Sequence, residues 1–185
     1  MSRVFTVGHG TRTLDELVGV LRDGGVDLLV DVRRYPRSRR HPHFSKESLE
    51  TALPPAGIDY DWRGEELGGR RSGTSETPSR HPAWRNDSFR AYADHMDTRA
   101  FRDALARLES DAAAGRAAAV MCAETLWWRC HRRLIADALV VRGVEVVHLL
   151  QEGQSAPHEL HESARRGSDG YPVYDVGVTG ELPIR

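Results

Sequence analysis

The chain has 185 residues, 39% hydrophobic and 29% charged, with a formal net charge of −1. That length suits one compact domain with a real core, and the short periodic runs of Leu, Val and Ile exclude collagen, coiled coil and wholesale disorder. No stretch nears the ~20 apolar residues of a membrane span and MSRVFTVGHG holds no signal-peptide core, so a soluble, cytoplasmic protein is expected.

Val4–Val7 reads as a short buried strand that ends in Gly8-His9-Gly10. Thr13 and Glu16 have the spacing of a capping box. Leu14, Leu17, Val18 and Leu21 then form one helical stripe, stopped by Gly24-Gly25. Val26–Val32 is a near-continuous apolar run, as in a parallel strand covered on both faces, and strand, helix and strand together make a βαβ unit. A basic loop follows, with six positive side chains and no acid from Arg33 to Lys46. Ser45–Leu53 predicts a short helix ended by Pro54-Pro55, and Ile58–Trp62 a third strand. Residues 63–86 read as a long irregular stretch rich in Gly, Ser, Pro and Arg. Ser88–Met96 and Thr98–Ala114 predict helices, Ala117–Ala123 a strand, Cys130–Arg142 a helix with Gly143 at its end, and Val144–Leu150 a last strand. A short helix is expected near 157–165 in the tail.

Strands alternating with helices predict an α/β fold, Rossmann-like, with a mostly parallel sheet of about five strands and helices on both faces. The expected organisation is a single domain over 1–185, with a core of about 3–150 and a C-terminal extension over 151–185. Ligands of such folds bind beyond the carboxyl ends of the strands. The first strand delivers Gly8, His9, Gly10, Thr11 and Arg12 there, and the second Asp31, Arg33 and Arg34. The third delivers Arg63, Glu65 and Glu66, the fourth Cys122, Glu124, Arg129, Cys130, His131 and Arg132, and the fifth His148, Gln151 and Glu152. This convergence of titratable groups is the main functional signal.

Glycines after the first strand let a backbone approach a ligand, and a helix N-terminus favours an anion. Asp31 is costly at the end of an apolar strand unless paired. It is therefore an acid, a base or a group that orients a substrate hydroxyl, or else half of an ion pair with Arg33 or Arg132. Glu124, just beyond a buried strand, is a candidate nucleophile or general acid/base. Cys130 is placed in the first turn of a helix with arginines nearby, an environment that favours a thiolate. Trp127 and Trp128 are candidates for a stacking wall. Cys122 and Cys130 have the wrong separation for CxxC redox or zinc-ribbon motifs, and a structural disulfide is not expected. The sequence requires no cofactor. A zinc ion would use Cys122, Cys130, His131 and His9, but Cys-x7-Cys-His matches no standard finger. Arg70, Arg71 and Arg80 add to the basic loop, flanked by Tyr35 and Phe44, which combines charge with stacking as phosphate or nucleic acid would need.

The ordered segments VGHGTR, LDEL, LVDVRRYPRSRR, PHFS, GIDY, ELGGRR, FRAYADHM, MCAE, WRCHRRLIADAL and HLL resemble the bacterial domain-of-unknown-function family 488 from Val7 to about Leu150. The pattern of that family carries Ser after Gly-His where Gly10 stands here, which removes one hydroxyl contact. The resemblance groups Gly8, His9, Asp31, Arg33, Glu124, Cys130, His131 and Arg132 into one site and supplies no reaction. The expected function is therefore read from the residues: an enzyme, of hydrolase or glycosyltransferase type, acting on a nucleotide, nucleoside or nucleic-acid base by N-glycosidic cleavage or transfer. In it Glu124 stabilises an oxocarbenium-like sugar, Asp31 orients hydroxyls or moves a proton, and Arg33, Arg132 and the turn from Gly8 to Thr11 hold phosphate. One alternative is thiolate chemistry at Cys130, as sulfur transfer or redox. The other is a non-catalytic nucleotide or nucleic-acid binding module built on the 33–46 loop through Arg37, Arg39 and Arg40.

Overall fold

The computed structural model describes residues 2–37, 40–71 and 78–178. Arg39 lies outside the described residues, as do residues 72–77 of the long irregular stretch. Its chain begins with β1 (Arg3–Gly8), α1 (Leu14–Asp23) and β2 (Leu28–Asp31). The predicted capping box closes α1: Thr13 Oγ1 accepts from Glu16 N at 3.2 Å, and Glu16 Oε2 accepts from Thr13 N at 2.7 Å. Such a cap contributes about 1 kcal/mol. Leu17, Val20 and Leu21 of α1 are buried, with Leu14 and Val18 packed beside them. Gly24 and Gly25 end it, Gly25 at φ 65° where a side chain would be strained. All four residues of β2 are buried, as a strand covered on both faces requires.

Next come α2 (Lys46–Ala52), β3 (Asp59–Trp62), α3 (Gly64–Leu67), α4 (Asp87–Met96), α5 (Arg99–Ala113) and β4 (Ala118–Cys122). Ser45, Asn86 and Thr98 cap α2, α4 and α5 through their side-chain oxygens. A one-turn 3-10 segment, Trp127–Arg129, precedes α6 (Arg132–Val141). The chain closes with β5 (Glu145–Gln151), β6 (Gln154–Pro157), β7 (Ala164–Arg166) and β8 (Pro172–Tyr174).

The central sheet runs β3-β2-β4-β1-β5-β6, with β1 to β5 parallel and β6 antiparallel on β5. Helices cover both faces, so the fold is the Rossmann-like α/β layer structure expected. On one face α1 and α2 pack against Val7, Leu29, Met121 and Leu149. On the other, α4, α5 and α6 pack against Val4, Val30, Val120 and Val146. Each buried aliphatic side chain contributes about 1.5–3 kcal/mol of hydrophobic stabilisation. Adjacent strands β1 and β4 send their following helices to opposite faces, which opens a crevice at their carboxyl ends. No helix among the described residues is long and apolar enough to cross a membrane.

Four expectations change. The sheet has six strands rather than about five, because the tail adds β6. The helix expected near 157–165 is absent. Pro157 ends β6, and the segment continues into a β7–β8 hairpin. There His158, His161 and Tyr174 are drawn to Asp137 on α6 instead of forming a helix of their own. The irregular stretch contains α3, whose Gly64 lies so near Arg33 that a Cβ would fall 2.0 Å from its carbonyl oxygen. Finally, α6 begins at Arg132 rather than Cys130, which is extended at φ −124° and ψ 150°.

Candidate functional site

The loops after β1 and β4 run side by side beyond the sheet. His9 N donates to Cys122 O at 3.0 Å and Gly10 N to Ala123 O at 3.1 Å. Gly8 and Gly10 make this nesting sterically feasible. A Cβ on Gly8 would sit 2.1 Å from Glu124 O, and one on Gly10, whose φ is +55°, would sit 2.2 Å from Thr125 Oγ1. The two glycines thus admit a neighbouring loop of the same chain, where sequence alone suggested a ligand. Arg12 likewise serves the scaffold, donating to the carbonyls of Gly8 and Leu150.

Beside these loops lies a cavity of about 620 Å³. The β1 loop lends His9, Gly10 and Thr11 to its wall, and the β4 loop lends Cys122, Ala123, Glu124 and Thr125. Arg33, Arg34, Tyr35, Arg37, Arg40 and His41 come from the loop after β2, Gly69 and Arg70 from the segment after α3, and Cys130 and His131 from the entry to α6. Five arginines therefore face one acid, Glu124, among the described lining residues. No carboxylate pairs with Arg34, Arg40 or Arg70 among the described residues, whereas exposed Arg37 lies 3.7 Å from Glu47. Arg70 holds φ 56°, the left-handed region that non-glycine residues seldom occupy outside turns and functional sites.

Arg33 is fixed from behind. Asp31 is fully buried and accepts from Arg33 N at 3.0 Å, Arg33 Nε at 2.9 Å and Tyr60 OH at 2.7 Å. Although burial opposes the charge, Asp31 keeps the Arg33 guanidinium above its usual pKa. Burial first, and the Asp31 charge second, push the Tyr60 phenol up. The ring of His9 packs on Phe44 at 4.3 Å. Its Nδ1 donates to Gly10 O at 2.9 Å, which leaves Nε2 to accept from Arg33 Nη1 at 3.3 Å. Burial, and then Arg33, hold the His9 pKa down to about 4. Burial, and then His158 and Arg132, hold His148 down to about 3.

A pH dependence follows from these two histidines. Both stay neutral in the folded chain and regain their ordinary pKa of 6.5 on unfolding. Below that value the unfolded chain takes up protons that the fold excludes. Stability is therefore fullest above about pH 6.5 and falls as the pH drops toward about 4. Urea midpoints between about pH 7.5 and 4.5 should decline, and a flat profile would contradict neutral burial.

On the β4 side, Glu124 is exposed, and its Oε1 accepts from Leu126 N at 3.1 Å. The sulfurs of Cys122 and Cys130 stand 2.7 Å apart, both free and buried. Cys130 Sγ lies 3.5 Å from His131 Nδ1, and His131 Nε2 is buried without a partner among the described residues. Arg132, 1% exposed, donates to the Glu124 and Thr125 carbonyls and to Thr6 Oγ1. From Thr6 a buried chain continues: Thr6 Oγ1 to His148 Nδ1 at 2.7 Å, His148 Nε2 to His158 Nδ1 at 2.9 Å, and His158 Nε2 to Asp137 Oδ1 at 2.9 Å. Tyr174 OH closes it on Asp137 Oδ2 at 2.8 Å.

The crevice thus gathers His9, Gly10, Thr11, Arg33, Arg34, Arg70, Glu124, Cys130 and His131 of the expected site residues. It does not gather Gly8, Arg12, Asp31 or Arg132. Asp31 and Arg132 are sealed from solvent, Asp31 against Arg33 and the Tyr60 hydroxyl and Arg132 against the Glu124 loop and Thr6, so neither reaches the crevice where a substrate hydroxyl or phosphate would lie. Arg63 pairs with Asp61 and Asp111, and Glu66 with Arg107. Trp127 stacks on His148 at 4.1 Å, Trp128 is exposed, and neither lines the cavity. Phe44 is wholly buried, which leaves Tyr35, 64% exposed, as the aromatic group of the basic loop that faces the cavity. Sequence reasoning missed His41, Gly69 and Thr125. Gly69 backs directly onto His131, where a Cβ would sit 2.7 Å from Nδ1. No three His, Cys, Asp or Glu side chains among the described residues are placed to share a metal ion. The model of the family described as Domain of unknown function DUF488 matches residues 13–139, more than half of the chain. No curated protein and no solved structure matches it.

Proposed function

This chain belongs to the DUF488 family, and we propose that it is a cytoplasmic enzyme that cleaves or transfers the N-glycosidic bond of a nucleotide-class substrate. The observation that carries this reading is the charge arrangement of the crevice: Arg33, Arg34, Arg37, Arg40 and Arg70 around Glu124, the one carboxylate among the described lining residues, with Tyr35 exposed at the side. Arginines of this density suit a phosphorylated ligand, since guanidinium forks bind phosphate bidentately. Tyr35 supplies a face for base stacking. Glu124 is then the group left for the sugar carbon. As the bond from C1′ to the base nitrogen breaks, its electron pair leaves with the base, which takes a proton from solvent. The Glu124 carboxylate stabilises the oxocarbenium-like sugar by charge. Water, or an acceptor hydroxyl, then adds at C1′ and gives its proton to Glu124. Asp31 serves as a positioning residue that aims Arg33.

Base release from a panel of nucleoside monophosphates, followed by chromatography, tests this directly. Glu124→Gln should lower turnover at least about 100-fold, the lower range for a lost general acid/base, while nucleotide binding by calorimetry persists. Undiminished turnover in that variant would remove Glu124 from the chemistry and end the proposal.

A further inference from the structure

The cysteine spacing in the sequence points away from redox chemistry, yet the fold cancels that spacing. Cys122 is the last residue of β4, and the 3-10 turn Trp127–Arg129 brings the chain back so that Cys130 meets it sulfur to sulfur at 2.7 Å. A disulfide bond of about 2.05 Å needs less than 1 Å of closure from there. Both residues line the cavity and present a small surface to it, 3% for Cys122 and 6% for Cys130. Their environments differ. Burial raises the Cys130 thiol, but the hydrogen bond from Cys122 and then His131 outweigh it and carry the pKa well below the usual range. Burial and the adjoining Cys130 push Cys122 well above it. One sulfur is thus prepared as a thiolate and the other as a protonated partner, the division of labour of an attacking and a resolving thiol.

We propose that Cys122 and Cys130 form a dithiol–disulfide centre that exchanges with a small, negatively charged disulfide admitted by the arginine-lined crevice. The Cys130 thiolate attacks one sulfur of that disulfide. Its S–S bond breaks, one thiolate leaves and is protonated, and a mixed disulfide stands on Cys130. Cys122 then loses its proton to solvent and attacks Cys130 Sγ, expelling the second small thiolate. Two protein thiols become one disulfide, and the small disulfide is reduced to two thiols. The preference for an acidic partner rests on Arg33, Arg34, Arg37, Arg40 and Arg70, which line the same crevice as the two sulfurs. The proposal uses the same crevice as the glycosidic reading but does not depend on it. Its readout is the state of two sulfurs, so either can fail alone.

The test uses the reduced full-length chain with oxidised glutathione, an acidic disulfide, and with cystamine, a cationic one, at equal concentrations near neutral pH. Intact-mass analysis should show loss of two hydrogens, both thiols should resist alkylation together, and peptide mapping should join Cys122 to Cys130. Oxidised glutathione should react at least about tenfold faster than cystamine at low salt, a margin that shrinks as salt screens the arginines. Cys122→Ser should stop at the mixed disulfide on Cys130, and Cys130→Ser should leave Cys122 slow to react. Thiols that both remain alkylatable, or a mixed disulfide that never resolves in the unmodified chain, would overturn the centre. Equal rates with the two disulfides would overturn the acidic preference, and a fast Cys122 in Cys130→Ser would overturn the assigned order.

Discussion

Asp137→Ala is expected to lower the unfolding free energy by about 3–5 kcal/mol. Asp137 is fully buried on α6, and three donors converge on it: His158 Nε2, His161 N and Tyr174 OH. Each donor left unsatisfied in the interior costs about 1–3 kcal/mol. The effect also spreads along the chain of hydrogen bonds. In the tautomer of His158 that gives Nε2–H to Asp137 and leaves Nδ1 bare, Nδ1 accepts from His148 Nε2–H. Nδ1 of His148 must then accept from the Thr6 hydroxyl, which in turn accepts from Arg132 Nη1. Every bond points the same way, and the depressed pKa of His148 agrees with a neutral ring in that role. Removing the terminal acceptor releases that order as far as Arg132, which holds the Glu124 carbonyl. Equilibrium urea unfolding measures the loss. A change under about 1 kcal/mol would show that the chain has other satisfactory arrangements.

Asp31→Ala should cost a similar amount, about 3–5 kcal/mol, by a different route. Here the partner left behind is a charge. Arg33 is only 7% exposed, and Asp31 meets its Nε and Nη2 together with the Tyr60 hydroxyl. Without the carboxylate, the buried guanidinium keeps His9 Nε2 as a neutral side-chain partner but no counter-charge, and it must swing toward water or leave the fold strained. The second readout is functional. Arg33 loses its fixed aim into the crevice, so anion binding should weaken even where the variant remains folded. Asp31→Asn keeps an acceptor oxygen and should lose less stability. Denaturant midpoints together with calorimetry of a nucleoside monophosphate check both halves, and wild-type values for Asp31→Ala would refute the assigned role.

The parts of the fold legible in the sequence are those where local and tertiary signals agree. Thr13 and Glu16 cap the helix whose apolar stripe is buried, and Leu28–Asp31 is buried on both faces as its composition predicts. The tail is not legible because β6, β7 and β8 are only three or four residues long, β6 and β7 mostly exposed and β8 wholly buried, so no period develops. β6 is placed by pairing with β5, and β7 and β8 by contacts with α6, distant in sequence. At the site, strand-end residues were easy to nominate, but their exposure was not. Asp31 closes an apolar strand and reads as an edge acid, yet β3 pairs Trp62 alongside it and Tyr60 covers it. His148 sits three residues before the end of β5 and turns into the buried chain instead of the crevice. The meeting of Cys122 and Cys130 depends on a 3-10 turn of three residues, which no cysteine-spacing rule encodes.

The donors of Asp137 have a consequence for how the chain is made. All three lie later in the sequence than the carboxylate they serve. Synthesis runs from the N-terminus, and folding proceeds with it. A nascent chain that has just completed α6 therefore carries an interior acid with none of its partners yet translated. The five parallel strands can assemble by residue 151, but the underside of α6 becomes self-consistent only when Tyr174 leaves the ribosome. Until then the newborn protein holds α6 provisionally, and the synthesis of residues 158–174 decides whether it settles.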